Sequence, residues 1–229
     1  MPDGRGHYYF NHGLSCLFEM PTSDARRLVP TDLQPLEVQH ERSVLSVTVF
    51  DFYEGDGGAY QELVLSVLVP PLVKPGDPLP KAALYPFLVG TSTERGRREG
   101  VARWKLPHLE RDVDVTFTET DDGGQGEGRI RAAASCDGEP ILELTGTSHR
   151  FEPAELLFHT FTCDAGAVYK SDITMRGESY SEHEFERGSL VMHPHEMTAG
   201  LSIDEIARAP FREQWMKKGV EVFAPLEAI

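Results

Sequence analysis

Short segments in which apolar and polar side chains alternate constrain the fold of this chain more than any other feature of its sequence. A period of two is typical of β-strands with one buried face. Glycine, proline and aspartate residues separate eight such segments, which predict strands over residues 44–53, 59–69, 84–91, 112–120, 129–135, 141–150, 167–175 and 188–192. An antiparallel sheet of many short strands loses its exposed edges when it closes on itself. The sequence therefore predicts a mainly β protein built as an antiparallel, barrel-like closed sheet.

Helical signals are limited to a few short segments. Thr22 or Ser23 can cap a helix over residues 24–28, which Pro30 ends. Near the other end, residues 203–208 follow a helical pattern, and residues 211–218 can form another turn or two. Residues 220–223 are a further candidate strand. The chain contains no internal repeat and no clear linker, so we expect one domain over residues 1–229.

Composition and charge exclude several classes of protein. The 229 residues carry 22 basic and 37 acidic side chains, a net charge of −15, and 40% of them are hydrophobic. Nucleic-acid binding needs a basic surface, so no nucleic-acid partner is expected. No segment approaches the ~20 apolar residues of a membrane span, and the first residues do not resemble a secretion signal. We therefore expect a cytoplasmic protein without membrane association.

Common cofactor and metal motifs are missing from the sequence. There is no Gly-x-Ser-x-Gly turn, no phosphate-binding loop and no dinucleotide-binding glycine pattern, so no cofactor is expected. His193 and His195 could lie on one face of a strand, which leaves a cupin-like metal enzyme as an alternative. Glu196 would then face the opposite way. We favour a polar loop for these histidines and expect no bound metal.

Lys105 is the most informative of only six lysines, because it lies between Trp104 and Leu106. If this segment is buried, loss of water would favour the uncharged amine and lower its pKa. An uncharged amine can attack a carbonyl carbon, whereas an ammonium cannot. Alternatively, the aliphatic part of Lys105 packs on Trp104 while its ammonium reaches water.

Three segments resemble the acetoacetate decarboxylase family, in the family's order. Residues 24–30 resemble its early helix that ends in proline, residues 58–62 its Gly-x-Tyr-x-Glu strand, and residues 98–105 its Gly-Arg-Glu…Pro-Lys segment. The resemblance implies a β-barrel-like fold and a Schiff-base lyase that acts on a small keto acid, and it implies a homo-oligomer. It also implies that Lys105 forms the imine and that Glu62 transfers protons or orients the reacting groups.

The sequence departs from the family at two positions and leaves substrate binding open. Leu106 stands where the family has a second lysine, and Asn11 stands where it has an early arginine. We therefore expect Arg98 or Arg103 to bind the substrate carboxylate. The further candidates for substrate binding are Tyr60, Trp104 and His12.

The alternation of side chains and the family resemblance give different predictions for Glu62. Alternation places it on the same face as Tyr60, and the opposite face of the strand is more apolar. The pattern by itself therefore predicts that Glu62 faces water, and only the resemblance predicts that it lines a pocket.

Three functions follow from these residues. The first choice is decarboxylation of a small β-keto acid such as acetoacetate through a lysine imine. The same imine could instead make the protein an aldolase-dehydratase that uses pyruvate, or a related α-keto acid, and an aldehyde. The third is a non-catalytic barrel that binds a hydrophobic ligand.

Overall fold

The protein is mainly β, as its sequence predicts. The computed structural model describes residues 4–121, 128–148, 150–180 and 187–229. The two α-helices are α1 Thr22–Leu28 and α2 Glu94–Trp104, and single 3-10 turns cover Glu196–Thr198 and Ile203–Glu205. The strands are β1 Gly6–Pro21, β2 Glu37–Gln39, β3 Arg42–Gly55, β4 Tyr60–Leu68, β5 Ala82–Thr91, β6 Asp114–Asp121, β7 Gly128–Cys136, β8 Glu139–Ser148, β9 Glu152–Asp164, β10 Ala167–Tyr180, β11 Ser189–Met192, β12 Arg212–Phe223 and β13 Glu227–Ala228.

Seven of these strands close into a barrel. Their order around the ring is β1, β12, β10, β9, β5, β4 and β3, and β3 pairs with β1 to complete it. Every neighbouring pair is antiparallel except β5 and β9, which are parallel. The closed sheet is therefore confirmed, with one parallel contact that the sequence pattern did not predict.

Two of the barrel strands, β1 and β9, were not predicted as strands, and of β12 only residues 220–223 were. The 16 residues of β1 pair with β12 on one side and with β3 on the other, so this strand closes the barrel. In β12, Glu213–Met216 are four consecutive buried residues in a segment whose sequence predicts helical turns. A strand that is covered on both faces does not alternate, which explains why the pattern failed there.

A second sheet covers one side of the barrel. It contains β11, β8, β7 and β6 in that order. Leu63, Leu65 and Val67 of β4 are fully buried in one apolar cluster with Ile130 of β7 and Leu144 of β8. The more apolar face of β4 therefore packs outward against the second sheet, and the opposite face lines the barrel interior.

The two α-helices are short, and each begins just after a barrel strand: α1 after β1 and α2 after β5. Helix α1 confirms the predicted helix before Pro30. Helix α2 begins after Thr93, whose hydroxyl accepts a hydrogen bond from the Gly96 amide at 3.1 Å, and it ends at Lys105 in the left-handed conformation. The predicted C-terminal helix is reduced to the 3-10 turn Ile203–Glu205. Within the described ranges, no helix is both long and apolar enough to cross a membrane.

Candidate functional site

A mostly apolar cavity lies inside the barrel. Its volume is about 80 Å³, less than the roughly 150 Å³ of a cavity that binds benzene. It therefore suits a compound of a few heavy atoms. The apolar side chains that line it are Phe50, Val64, Leu84, Pro86, Leu106, Phe158, Ile173, Met175, Met216 and Phe223.

Two buried carboxyl groups, Glu62 on β4 and Glu221 on β12, line this cavity. Glu62 is 8% exposed and Glu221 is 5% exposed. Burial raises the pKa of Glu62 to about 8. Burial, and then the nearby Glu62, raise the pKa of Glu221 well above its ordinary value. Burial therefore favours the protonated form of both carboxyl groups.

The strand register explains why these carboxyls have no cation beside them. Glu62 lies between Phe50 of β3 and Thr91 of β5, and Glu221 lies between Tyr8 of β1 and Met175 of β10. The residues that line the cavity within the described ranges include no lysine, arginine or histidine. Desolvation without compensation by an opposite charge raises the pKa of a carboxyl group.

The remaining polar side chains of the cavity are hydroxyls and one amide. Ser15 and Thr48 share a hydrogen bond of 2.9 Å, and Ser66 and Thr160 also line the cavity. Gln214 is 7% exposed, and its Nε2 donates to no described residue. The amide is thus a buried donor that a ligand could use.

Lys105 does not line the cavity, although its neighbour Leu106 does. Its Nζ lies 3.2 Å from Asp164 Oδ2 at the end of β9, and its side chain is 34% exposed. The sequence predicts an apolar environment for this amine if the segment is buried, and the structure places it in a half-exposed ion pair. The reason is that α2 ends here and its last turn directs consecutive residues to different sides.

Trp104, the other neighbour of Lys105, is part of the apolar cluster inside the barrel. Its ring stacks on Phe223 with centroids 4.8 Å apart, and its Nε1 donates a 2.6 Å hydrogen bond to the Tyr8 hydroxyl. Trp104 therefore anchors the end of α2 to the barrel. It touches the cavity wall through Phe223 but does not line the cavity itself.

The two arginines expected to bind substrate lie outside the cavity. Arg98 is 78% exposed and pairs with Glu94 on the surface of α2. Arg103 pairs with Asp56 and with Glu99, and it also donates to the backbone carbonyl of Gly4 at 3.0 Å. Acidic neighbours thus neutralise both arginines, and Arg103 also holds α2 against the N-terminal segment.

Tyr60 lies inside the barrel, whereas His12 lies between the barrel and the second sheet. Tyr60 is 6% exposed and packs on Phe52 inside the barrel, with ring centroids 5.1 Å apart, next to the cavity. His12 stacks on Phe117 of β6, and its Nε2 lies 3.4 Å from Glu119. His12 is therefore on the side of the barrel that faces the second sheet.

Asn11, His193 and His195 also do not line the cavity. Asn11 donates to Asp51 at the surface. His195 caps a 3-10 turn, its Nδ1 accepting from the Met197 amide at 3.1 Å. Across the part of the chain that the structure describes, no three His, Cys, Asp or Glu side chains are grouped as metal ligands.

Sequence reasoning missed Glu221 and Gln214. The available signal was a charged residue between Val220 and Val222, in a segment that ends with Phe223. Glu221 is more buried than either valine in the structure. An acid within an apolar strand indicates either a surface edge or a cavity, and the pattern cannot distinguish the two.

Comparison with known proteins identifies the fold. No protein-family model matches the chain, and no curated protein shows significant sequence similarity to it. A solved acetoacetate decarboxylase structure superposes with a TM-score of 0.68 at 13% identity, over 100% of this chain and 90% of the other. The acetoacetate decarboxylase of Legionella pneumophila superposes with a TM-score of 0.66 at 12% identity, over 98% of this chain and 87% of the other.

A third structure extends the range of similar proteins. The enduracididine biosynthesis enzyme MppR in complex with pyruvate superposes with a TM-score of 0.63 at 12% identity, over 97% of this chain and 90% of the other. These three chains share the fold of the present one. At 12–13% sequence identity, the similarity concerns the fold alone. The resemblance drawn from three sequence segments is thus confirmed in three dimensions: the chain has the acetoacetate decarboxylase-like fold.

Proposed function

We propose that this protein is a lyase of the acetoacetate decarboxylase type, which binds a small β-keto acid in the barrel cavity and decarboxylates it through an imine with Lys105. The observation that carries the proposal is the position of Glu62. The sequence resemblance assigns a functional role to this glutamate, and the side chain lies buried in the cavity with a pKa of about 8. A carboxyl group with that pKa can both donate and accept a proton near neutral pH.

The chemistry assigns one task to each group. The Lys105 amine adds to the ketone and expels water, which forms a protonated imine. Loss of carbon dioxide leaves its electron pair on the carbon skeleton, and the imine nitrogen accepts it as an enamine. Glu62 then donates a proton to the enamine carbon, and water releases the product and the amine. Each turnover converts the keto acid and one proton into a ketone and carbon dioxide.

Lys105 must change its partner before it can react. Its Nζ is held by Asp164, whereas Leu106, the next residue, lines the cavity. Rotation of the lysine side chain toward the cavity would exchange the carboxylate for apolar surroundings. Such desolvation favours the uncharged amine that imine formation requires.

Imine trapping tests the proposal directly. The wild-type protein is treated with borohydride in the presence of acetoacetate or pyruvate, and the adduct is located by mass spectrometry. We expect a mass increase on the peptide that contains Lys105 and none in Lys105→Ala. Lys218→Ala is the matched control, because that side chain is 76% exposed. An adduct that persists in Lys105→Ala, or no adduct with any keto acid, would refute the imine.

The products separate decarboxylation from the aldol reaction. One of the similar MppR structures holds the condensation product of pyruvate and imidazole 4-carboxaldehyde. An enamine of this kind can attack an aldehyde instead of taking a proton. Release of carbon dioxide from acetoacetate supports decarboxylation, and a new carbon–carbon bond from pyruvate and an aldehyde supports an aldolase-dehydratase.

A second candidate function is a non-catalytic barrel for an uncharged, mainly apolar small molecule. The observation in its favour is that Leu106, and not Lys105, lines the cavity. Saturable binding of short ketones in a thermal-shift assay, together with failure of borohydride trapping, would support this function over the lyase.

A further inference from the structure

We propose that Glu221 is a second functional acid of the barrel cavity, and that Glu62 and Glu221 together bind the oxygen atoms of an anionic ligand by donating hydrogen bonds, in place of a basic side chain. The inference deepens the proposed function, on which it rests for the identity of the substrate. It does not need the imine, because it concerns binding alone.

The two carboxyls reach the cavity from different walls. In the barrel ring, β12 and β4 are separated by β1 and β3 in one direction and by three strands in the other. Glu62 and Glu221 nevertheless line the same cavity, and the charge of Glu62 acts on Glu221. A small ligand between them can therefore contact both.

Neither carboxyl has a partner that would use its proton. Among the hydrogen bonds and ion pairs of the described residues, none involves the side chain of Glu62 or of Glu221, although both side chains are more than nine-tenths buried. The unpartnered Nε2 of Gln214 is a second buried donor in the same cavity. Buried polar groups normally have partners, so these three groups are suited to bind the polar atoms of a ligand.

The groups that face the pair keep the cavity uncharged. The charges of Glu62 and Glu221 act on Tyr60 of β4, and Tyr8 of β1 is the register partner of Glu221. Burial raises the pKa of each phenol, so both stay neutral. The residues from the other packed elements are Phe50 of β3, Thr91 of β5, Phe158 of β9, Met175 of β10 and Leu106 after α2. None of these five can supply a positive charge.

The absence of a cation from the lining decides how an anion can bind. A protonated carboxyl group donates one hydrogen bond, and an apolar site can keep such an acid neutral at pH 7 for this purpose. If either glutamate were ionised, a bound carboxylate would place two negative charges in an apolar cavity without compensation. An anionic keto acid must therefore bind to the fully protonated pair.

The ligand class follows from size and charge. The small volume of the cavity, about 80 Å³, favours a short-chain monocarboxylate with a second oxygen function, such as a keto acid, over a larger ligand. Its oxygens would accept from the two acids and its carbon chain would lie against the apolar wall. A ligand with two carboxylates has more charged acceptor oxygens than the two acids have protons to donate.

Proton-linked binding tests this inference. The probes are 3-hydroxybutyrate, which has no ketone and forms no imine, and 3-hydroxybutanamide, which is uncharged. Calorimetry between pH 6 and 9.5 should show a constant Kd for the anion at low pH and a weakening of up to tenfold per pH unit above about pH 8. The amide should bind with nearly the same Kd throughout. Titrations in two buffers of different ionisation enthalpy should show proton uptake that rises toward one per anion bound.

Isosteric variants test whether the two glutamates cause the pH dependence of anion binding. Glu62→Gln with Glu221→Gln keeps two donors and removes both titrations, so we expect the pH dependence of anion binding to disappear. Glu155→Gln is the control, because that residue is exposed at the surface. A pH-independent Kd in the wild-type protein, or no anion binding at pH 6, would overturn the inference without depending on any variant. Imine trapping is a separate result: it can succeed while this inference fails, and the reverse.

Discussion

Lys105 and Leu106 are consecutive in the chain, but Leu106 lines the barrel cavity while the Nζ of Lys105 lies 3.2 Å from Asp164. The left-handed conformation of Lys105, with φ 57°, produces this divergence where α2 ends. The proposed imine therefore depends on a side chain that has to leave its ion pair.

Removal of the Asp164 carboxylate should free Lys105. A half-exposed ion pair contributes up to about 1 kcal/mol, so Asp164→Asn should increase the initial rate of borohydride trapping by up to roughly fivefold. The measurement is the appearance of the adduct over time. Asp137→Asn, an exposed aspartate that pairs with Arg111, serves as the control. Unchanged or slower trapping in a folded Asp164→Asn protein would mean that the ion pair does not restrain Lys105.

The raised pKa of Glu62 predicts how stability depends on pH. In the unfolded chain this carboxyl loses its proton near pH 4.5, and in the folded protein it keeps the proton to about pH 8. Unfolding between these values therefore releases a proton, so the free energy of unfolding falls as pH rises, by about 3 kcal/mol between pH 4.5 and pH 7. Glu62→Gln should lack this part of the decrease.

Urea denaturation of both proteins at pH 5, 6, 7 and 8 measures that difference. The stability of the wild-type protein relative to Glu62→Gln should be highest at pH 5 and lowest at pH 8. Parallel pH profiles for the two proteins would show that Glu62 titrates as an ordinary exposed carboxyl group.

The hydrogen bond from Trp104 to Tyr8 should contribute to the stability of the cavity wall. Trp104→Phe leaves the buried hydroxyl without its donor, and Tyr8→Phe leaves the indole N–H without its acceptor. Each change should destabilise the protein by about 1–3 kcal/mol. A double-mutant cycle by chemical denaturation should give a coupling of about 1 kcal/mol, and purely additive effects would contradict the interaction.

Gly100 should tolerate no side chain, although it lies inside a helix. Glycine to alanine in a helix interior normally stabilises by up to about 1 kcal/mol. At this position the new Cβ would lie 2.2 Å from Nε2 of the half-buried His108, so we expect Gly100→Ala to lower the melting temperature. Val101→Ala, at an exposed site of the same helix, should have little effect. A more stable Gly100→Ala protein would show that His108 moves freely.

Glu62 shows which features of β4 the alternation of side chains predicts correctly and which it does not. Alternation along β4 separates its two faces correctly, because Glu62, Val64 and Ser66 line the cavity while Leu63 and Leu65 share the other face. The pattern predicts that the more polar face meets water. In the structure that face is enclosed, since the barrel closes around it and the second sheet covers the other face.

Strands β1 and β9 and the first part of β12 show where local patterns failed. In β12 the apolar and polar residues do not alternate, because Glu213, Trp215 and their neighbours are covered on both sides. Glu213 is fully buried there and accepts a 2.7 Å hydrogen bond from the amide of Thr147 in the second sheet. Contacts between strands far apart in the chain decide such a segment, and a local window does not contain them.

The amino-acid sequence by itself indicated the β class, the closed sheet, the family resemblance and the two faces of β4, because each of these predictions rests on patterns within short segments. Only the tertiary structure decided that Glu62 and Glu221 share one cavity and that Lys105 pairs with Asp164 outside it. The physical reason is that closure of the barrel brings residues 62 and 221 together and removes water from both, and no local pattern records which side chains meet when a sheet closes.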